Sequence, residues 1–349
     1  MKILHTADVH LKQDDSETVE ALKQVLTKAE ELEVDLLTIG GDLFDSSEDA
    51  EALRPELREL LKNNSFDILA IPGNHDEDVY RENLRFGNDL DILTDTPYEI
   101  REFGDIEIIG VPFQSSMDDE LFSALKENSS DQTQLMLLHC TLDIGFKSGG
   151  VGEEEGEYFP ITKATLAELD YDYVLAGHIH STDREVPLDN GGTFIYPGSP
   201  VSHSTKETGQ RKTVLIDTEE ESVSSVPLRT FYYDSFSEMV RPGEEDEVVN
   251  EIEDWVNRRE EDNCELTVSV DGFVDRDENE FYEELENAAG PAELSDSFRS
   301  VSSVLDHPLY QRFMEKLEEK EDLEEDEVVK DRVIQVLSQL LAQNKVQAS

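Results

Sequence analysis

Residues 71–76, with the sequence IPGNHD, place an amide, an imidazole and a carboxylate on one tight turn. The turn directly follows residues 67–71 (DILAI), which have the apolar pattern of a short strand that a Pro-Gly pair ends. We therefore expect Asn74 and His75 to project from the carboxyl end of a strand. In open α/β sheets that edge is where ligands bind. Taken alone, the stretch is equally compatible with a surface turn.

Four other segments repeat this order of an apolar run, a turn and side chains that can bind metals. Residues 2–7 lead to Asp8 and His10, residues 36–39 to Asp42 and Asp45, residues 135–138 to His139, and residues 173–176 to His178 and His180. Imidazole, carboxylate and amide groups suit manganese, iron or zinc. The five strand ends together predict a metal site.

The chain is strongly acidic throughout its 349 residues. Its formal net charge is −54, from 83 acidic and 29 basic side chains, while 37% of its residues are hydrophobic. This composition favours a folded protein in a salt-rich cell interior, because salt at about 1 M shortens the Debye length to about 3 Å and screens self-repulsion. An acidic surface for a basic partner is the alternative. The acidic excess runs along the whole sequence, which argues against that alternative.

The cysteine pattern and the hydropathy exclude several classes of protein. Cys140 and Cys264 form neither a disulfide framework nor a Cys-x-x-Cys pair, so we expect each to be a small buried residue. We find neither a signal peptide nor an apolar window of about 20 residues. The sequence therefore predicts a cytoplasmic protein without a membrane span.

The order of helical and strand patterns predicts an α/β fold with two sheets in a sandwich flanked by helices. Apolar residues at helical spacing predict helices over residues 16–32 and 51–62, between the first strands. From residue 98 onward short strands predominate and predict a second sheet. We expect strands over residues 213–217 and 222–228 to complete that second sheet.

We predict three parts along the chain: a catalytic domain over residues 1–233, a small α+β domain over 234–303 with a hinge at 240–243, and a helical tail over 304–349. The α+β domain should contain a strand over 266–270 that turns at residues 271–272. In the tail, residues 328–341 carry a wide apolar stripe that would dock on its own domain or on another protein. Residues 145–159 predict either a mobile loop over the site or disordered filler.

The ligand turns occur in the order and spacing of the calcineurin-like metallophosphoesterases, and the chain resembles this family over residues 1–217. The resemblance implies a dinuclear site in which a bridging Asp42 serves both ions, since a shared carboxylate offsets the repulsion between two cations. One ion would be held by Asp8, His10, Asp42 and His180, and the other by Asp42, Asn74, His139 and His178.

The same resemblance assigns roles to two further residues. His75 would contact the phosphate and assist the leaving group, as an acid or as a charge stabiliser, and Asp45 would orient it through a hydrogen bond. The alternative for His75 is that of an additional metal ligand.

Residues 3–11 (ILHTADVHL), 40–45 (GGDLFD) and 196–200 (YPGSP) look most like the SbcD-type nucleases, subunits of complexes that process DNA double-strand breaks. This resemblance implies two Mn²⁺ ions per subunit, with 3′ to 5′ exonuclease activity on duplex DNA and endonuclease activity on single strands. It also implies that residues 234–303 form a capping domain and that the tail from Asp306 binds an SbcC-type coiled-coil ATPase. We further expect a homodimer.

The acidity fits poorly with DNA, because nucleic-acid-binding surfaces are normally basic. Five basic residues near the ligand turns would form a local exception or are scattered solvated charges: Lys147, Arg184, Lys206, Arg211 and Lys212. A calcineurin-like phosphatase or a cyclic-nucleotide phosphodiesterase is the alternative enzyme. A scaffold without metal is a third hypothesis, which would predict missing ligands, whereas all seven are present.

Overall fold

The computed structural model describes residues 1–82, 85–128, 130, 132–143, 159–181, 183–259, 263–318, 329, 332–334 and 336. The chain divides into two compact units, Met1–Tyr233 and Asp234–Ser349. The first unit contains two six-stranded sheets flanked by helices, which confirms the predicted fold class. Almost all of the predicted loop at 145–159 and most of the tail beyond residue 318 lie outside the described residues.

The first sheet has the strand order β14-β13-β1-β2-β3-β4. Its members are β1 (Lys2–Thr6), β2 (Leu36–Ile39), β3 (Asp67–Ala70), β4 (Leu90–Ile92), β13 (Lys212–Asp217) and β14 (Ser222–Pro227). Strands β1 to β4 run parallel to one another, and β13 and β14 are antiparallel to their neighbours. The carboxyl ends of β1, β2 and β3 therefore lie at one edge.

Our expectation that the last two strands complete the second sheet was wrong. They extend the first sheet, because β13 pairs with β1 so that Ile3 lies opposite Ile216 and His5 lies opposite Val214. The Thr213 hydroxyl also donates to the His5 carbonyl. Alternation along a strand predicts which side chains are buried, but it does not say which sheet edge the strand joins.

The second sheet has the order β11-β12-β10-β7-β6-β5. Its members are β5 (Glu99–Phe103), β6 (Ile106–Gly110), β7 (Thr133–His139), β10 (Tyr173–Gly177), β11 (Arg184–Pro187) and β12 (Thr193–Tyr196). The central pair β7 and β10 is parallel, with His139 opposite Gly177. The short strands β8 (Thr141–Asp143) and β9 (Pro160–Thr162) form a separate parallel pair.

Four helices of the first unit begin at a side chain that caps their free N–H groups. They are α1 (Ser16–Glu31), α2 (Ser47–Leu60), α3 (Asp119–Glu127) and α4 (Lys163–Leu169), and a short 3₁₀ helix spans Val79–Glu82. Helix α2 starts earlier than its apolar spacing predicts, because the Ser46 hydroxyl accepts the Asp49 N–H. Hydrophobic side chains of α1 and α2 pack on the first sheet, and those of α3 and α4 pack on the second.

A third apolar layer fills the space between the two sheets. Successive residues of a strand point to opposite faces, so in β1 Ile3 packs in this central layer and Leu4 packs against the helices. Both faces of the strands are thus buried, which explains their nearly continuous apolar sequences. This packing on both faces fixes the positions of the strand ends that carry the predicted ligands.

The second unit is an α+β arrangement around a three-stranded sheet of order β15-β16-β17. Its elements are β15 (Tyr232–Val240), α5 (Glu245–Asn257), β16 (Cys264–Val274), α6 (Glu278–Ala289), β17 (Glu293–Ser300), α7 (Ser302–Leu305) and α8 (Pro308–Glu318). The predicted hinge at 240–243 is instead a tight turn that connects β15 to α5 within the unit.

The predicted turn at residues 271–272 was also wrong, because β16 continues through it. Gly272 has a φ of +123°, and a Cβ there would lie 2.2 Å from the Val240 carbonyl oxygen. A glycine in this strand therefore permits close approach of a neighbouring backbone rather than a reversal of the chain.

The described part of the tail packs on the second unit. Ile334 is 2% exposed and lies in a cluster with Val301, Val304 and Tyr310. Most of residues 328–341 lie outside the described residues, so docking of this segment on its own domain or on another protein stays a prediction. Leu309 in α8 is 59% exposed. Within the described residues no helix is long and apolar enough to cross a membrane.

Candidate metal centre

The predicted ligand turns meet where the strands of the first sheet and those of the second sheet end. Four of the residues have a left-handed backbone: Asp8 with φ 55°, His10 with φ 45°, Asp42 with φ 51° and His178 with φ 102°. Non-glycine residues in this region cost about 1–3 kcal/mol each, and such strain concentrates at functional sites. The turns are thus bent in a way that directs side chains into a common space.

The first group of donor atoms comes from Asp8, His10 and His180, all three buried. His10 Nε2 lies 3.3 Å from His180 Nε2, and His180 Nε2 lies 3.9 Å from Asp8 Oδ1. Both carboxylate oxygens of Asp8 accept the His178 backbone N–H at 3.0 Å, which ties the end of β1 to the end of β10. The structure therefore brings together three of the four predicted ligands of the first ion.

A second group of donor atoms comes from Asp8, Asp42 and His139, all three buried, and Asp42 connects it to the first. Asp42 Oδ2 is 3.7 Å from His10 Nε2 and 3.2 Å from His139 Nε2, and Asp42 Oδ1 accepts the His75 backbone N–H at 2.9 Å. Asn74 Oδ1 lies 2.9 Å from His139 Nε2. One carboxylate oxygen of Asp42 thus faces both predicted ion positions.

His178 lies farther from the other donor atoms than the remaining predicted ligands do. Its ring packs edge-on against that of His139, with centroids 5.3 Å apart, but it belongs to neither group of mutually close donors. Burial, with the charge of the neighbouring His139 added, lowers the pKa of His178 to about 3. The imidazole is therefore neutral, as a metal ligand must be.

The imidazole hydrogen bonds show which nitrogens face the centre. Oxygen atoms that only accept hydrogen bonds lie beside each Nδ1: Asp45 Oδ1 at 3.2 Å from His10, the Gly40 carbonyl at 2.9 Å from His139, and Glu207 Oε1 at 3.4 Å from His180. Each Nδ1 therefore carries a proton, and the Nε2 of each ring is the nitrogen that faces the centre. Such orientation is usual for metal-ligating histidines.

This arrangement fits divalent ions. Two donors that are each ~2.1 Å from one ion lie about 3 Å apart, which matches the spacing of the facing Nε2 lone pairs of His10 and His180. Burial alone lowers the pKa of His139, but the charge of Asp42 outweighs it and raises that pKa to about 9. The negative charge of the centre thus favours a cation between these donors.

His75 and Asp45 lie at the rim next to His10. The ring of His75 is half-buried and packs edge-on against His10, with centroids 4.7 Å apart. Asp45 accepts from His10 Nδ1 and lies 3.3 Å from Lys12 Nζ, and its bond with His10 is the main reason that its pKa falls to about 2. One donor atom from each of His10, Asp45 and His75 lies within 4.8 Å of the others. That Asp45 orients His75 stays a prediction.

Asp76 supports the site in a way that the sequence did not indicate. Its fully buried carboxylate accepts the Gly73 N–H at 2.8 Å, the Leu43 N–H at 2.9 Å and the Tyr80 hydroxyl at 2.8 Å. Burial, with the charge of Asp42 added, raises the pKa of Asp76 to about 6. The side chain fastens the turn that carries Asn74 to the turn that carries Asp42.

His203 and Glu207 also belong to the centre, and neither was predicted from the sequence. His203 Nε2 donates to the Asp8 carbonyl at 3.0 Å, and its ring lies 5.0 Å from that of His10 and 5.4 Å from that of His180. Glu207 contacts His180 Nδ1. They lie in a loop without apolar periodicity after β12, so no pattern marks them.

The basic residues proposed as a local exception divide into three kinds. Arg211 is 3% exposed and donates to the Ser199 carbonyl, so it is a structural residue and not a solvated charge. Lys212 pairs with Asp183 at 3.0 Å. Arg184 and Lys206 are exposed. Lys147 lies outside the described residues.

We expect Gly73→Ala to weaken Mn²⁺ binding by about 10- to 100-fold, the usual cost of disturbing the support of a metal ligand. A Cβ at Gly73 would lie 2.1 Å from Asp42 Oδ1 and 2.5 Å from the Asp42 backbone nitrogen, so Asp42 must move. Titration calorimetry with Mn²⁺ measures the effect. Gly104→Ala is the control, because an added Cβ there meets nothing within 4 Å and the cost of its left-handed backbone (φ 64°) falls on the turn between β5 and β6. Equal affinities in the two variants would contradict this placement of Asp42.

Comparisons with known proteins find a family that matches the part of the chain that carries the predicted ligands. A family model described as calcineurin-like phosphoesterase matches residues 1–182, which include all seven predicted ligands. The chain is also similar to a subunit of the nuclease SbcCD from Staphylococcus epidermidis, with 30% identity over 253 residues. That match covers 61% of this chain and 64% of the relative, so it spans just under two thirds of the relative's length.

Two solved structures are similar to part of the chain. A dimetal phosphatase from Danio rerio shows 13% identity and a TM-score of 0.41, with 65% of this chain and 96% of that chain covered. An anchor protein of the inner membrane complex of Plasmodium shows 10% identity and a TM-score of 0.40, with 66% of this chain and 89% of that chain covered.

Proposed function

The chain belongs to the calcineurin-like phosphoesterase family, and we propose that it is a DNA nuclease of the SbcD type that uses two Mn²⁺ ions. The observation that carries this proposal is the convergence of ligand-type side-chain atoms on each predicted ion position. His10 Nε2 lies 3.3 Å from His180 Nε2, and His139 Nε2 lies 2.9 Å from Asn74 Oδ1. The facing lone pairs of His10 and His180 would repel each other without a cation between them, and the oxygens of Asn74 and Asp42 beside His139 Nε2 attract positive charge.

In this proposal Asp8, His10, Asp42 and His180 hold one ion, and Asp42, Asn74, His139 and His178 hold the other. When bound, the ions supply activation of a water for attack on phosphorus and neutralisation of phosphoryl charge. Asp42 keeps Oδ2 directed at both positions, because the His75 N–H fixes its Oδ1. Asp45, Gly40 and Glu207 hold the protons of the ligand imidazoles at Nδ1.

His75 is the residue that we assign to the leaving oxygen. It is half-buried beside His10, and it can present a proton or a positive charge to the cleft without being one of the ligands. Transfer of a proton to a leaving group by a positioned side chain contributes about 10²- to 10⁴-fold to a rate. Asp45, which touches His10, would keep this corner of the site ordered.

The choice of DNA over a small phosphate ester rests on the likeness to a subunit of the nuclease SbcCD. The proposal includes 3′ to 5′ exonuclease activity on duplex DNA and endonuclease activity on single strands. Assembly with an SbcC-type ATPase has the same support. A homodimer is a further part of the proposal. A capping role for the second unit follows the predicted order of domains.

A comparison of two substrates tests the proposal. We expect the protein with Mn²⁺, at salt concentrations near 1 M or above, to degrade end-labelled linear duplex DNA and to leave p-nitrophenyl phosphate nearly untouched. High salt is chosen because a chain of net charge −54 should need screening to fold and to approach a polyanion. Hydrolysis of the monoester without action on DNA would instead favour a phosphatase.

A further inference from the structure

Glu207 lies in the loop that connects β12 to β13, residues 197–211, and is 2% exposed. A glutamate is rarely buried to this extent unless partners satisfy its charge. The loop contributes no predicted metal ligand. Several residues of this loop nevertheless contact the Glu207 carboxylate.

Donors from the loop satisfy both carboxylate oxygens of Glu207. Oε2 accepts the His203 N–H at 3.0 Å, and Oε1 accepts the Ser204 hydroxyl at 3.4 Å. The Ser199 hydroxyl lies 3.1 Å from Oε2 and 2.7 Å from the Val201 carbonyl, so these two oxygens share its proton. The Glu207 backbone carbonyl accepts the Ser202 hydroxyl at 2.6 Å. These bonds leave the carboxylate little freedom to rotate.

The buried guanidinium of Arg211 fixes the same loop from the other side. Its Nε donates to the Ser199 carbonyl at 3.0 Å, and one terminal nitrogen donates to the Ser199 hydroxyl at 3.0 Å and to the His180 carbonyl. The loop is thereby attached to the backbone of His180 as well as to its ring.

The remaining contact of Glu207 is with the His180 ring, where Oε1 lies 3.4 Å from Nδ1. Because a carboxylate only accepts, the proton of His180 resides on Nδ1. Its Nε2 then presents a lone pair toward His10 Nε2, 3.3 Å away. The ring cannot turn over without breaking the contact with Glu207.

Glu207 differs from the groups that support two other ligand imidazoles. His10 relies on Asp45, whose side chain is 33% exposed and also pairs with Lys12. His139 relies on a backbone carbonyl, which no side-chain substitution removes. Of these three imidazoles, only that of His180 depends on a buried carboxylate, and residues of the loop that carries Glu207 hold this carboxylate in place.

We propose that Glu207 is a positioning residue that fixes the tautomer and ring orientation of His180 and thereby sets the affinity of the first metal position. The proposal deepens the proposed function, since it concerns the same centre and requires that ions bind there. Loss of the carboxylate should weaken one ion selectively, because Glu207 acts on the centre through His180, which is assigned to the first ion alone. The ligands assigned only to the other ion are Asn74, His139 and His178.

Calorimetric titration of the metal-free protein with Mn²⁺ alone tests this without any substrate. We expect wild type to bind two ions, and Glu207→Gln to bind one of them about 10- to 100-fold more weakly. The other ion should keep its affinity within about threefold. The glutamine keeps the shape of the side chain but removes its charge and gives one acceptor oxygen in place of two.

Two variants serve as controls. Glu220→Gln removes an exposed carboxylate from the turn between β13 and β14 and should bind both ions as wild type does. Ser199→Ala removes one hydroxyl beside Glu207 but leaves the carboxylate against His180, so we expect it to weaken the same ion less than Glu207→Gln does.

Four outcomes would overturn the proposal. The first is that Glu207→Gln binds both ions with wild-type affinity, and the second is that it binds both ions more weakly by the same factor. The third is that Ser199→Ala weakens ion binding as much as Glu207→Gln does, and the fourth is that metal-free Glu207→Gln fails to fold. The last three would give Glu207 a purely structural role. Failure of wild type to bind two ions would instead count against the proposed metal centre itself. The two proposals can therefore fail separately.

Discussion

Asp42→Asn is expected to abolish Mn²⁺-dependent DNA cleavage, with a loss of more than about 10³-fold. Asp42 Oδ2 lies between the two donor groups, 3.7 Å from His10 Nε2 and 3.2 Å from His139 Nε2, so the substitution removes a negative charge from both ion positions. Metal-ion charge stabilisation contributes several kcal/mol to such reactions, and about 4 kcal/mol corresponds to about 10³-fold in rate. Initial rates on end-labelled duplex DNA measure the loss.

The asparagine keeps the shape of the side chain and an oxygen that can accept the His75 N–H, so a loss of activity would not reflect collapse of the turn. Calorimetry should show both ions weakened, in contrast to the single ion expected for Glu207→Gln. Asp105→Asn, an exposed aspartate between β5 and β6, is the matched control and should cleave normally. Retention of both ions in Asp42→Asn would be incompatible with a bridging role.

Much of the centre could be predicted from sequence because each part of it is local. Asn74 lies four residues after the end of β3, His139 is the last residue of β7, and His178 directly follows β10. The carboxyl ends of parallel strands lie at one edge of a sheet, so side chains that follow different strands come close together even when they are distant in sequence. Apolar runs that end in turns therefore indicated the site before any pairing of strands was known.

The support of the centre could not be predicted, because it depends on contacts that no periodic pattern encodes. Asp76 was visible in the first turn, but its acceptance of the Leu43 N–H joins two loops 33 residues apart. Glu207 touches His180 only because the loop before β13 folds back over the end of β10. In the sequence it is one of many glutamates in an acidic chain.

The same limit explains the misplaced strands. Residues 213–217 and 222–228 were correctly predicted as strands, but their assignment to the second sheet ignored the open edge of β1. Antiparallel pairing there places Val214 and Ile216 in the layer between the sheets. This pairing also brings the loop that carries Glu207 back to the end of β1, where His203 bonds the Asp8 carbonyl. The misplaced strand thus accounts in part for the missed residues.

His75→Ala is expected to lower the rate of DNA cleavage by about 10²- to 10⁴-fold while both Mn²⁺ ions remain bound. The backbone N–H that holds Asp42 Oδ1 is still present in alanine, and the ring packs against His10 without being needed among the assigned ligands. Single-turnover cleavage and Mn²⁺ calorimetry on the same preparation give the two quantities. His307→Ala, a histidine of the second unit, should leave both unchanged.

The leaving group distinguishes the roles left open for His75. If its imidazole gives a proton to the departing oxygen, an ester of p-nitrophenol needs little such help, because nitrophenolate leaves unprotonated. His75→Ala should then cleave bis-p-nitrophenyl phosphate nearly as fast as wild type does, while its action on DNA stays impaired. Equal losses on both substrates would favour stabilisation of phosphoryl charge. Loss of an ion from His75→Ala would show that His75 is an additional ligand, and the assigned mechanism would then be wrong.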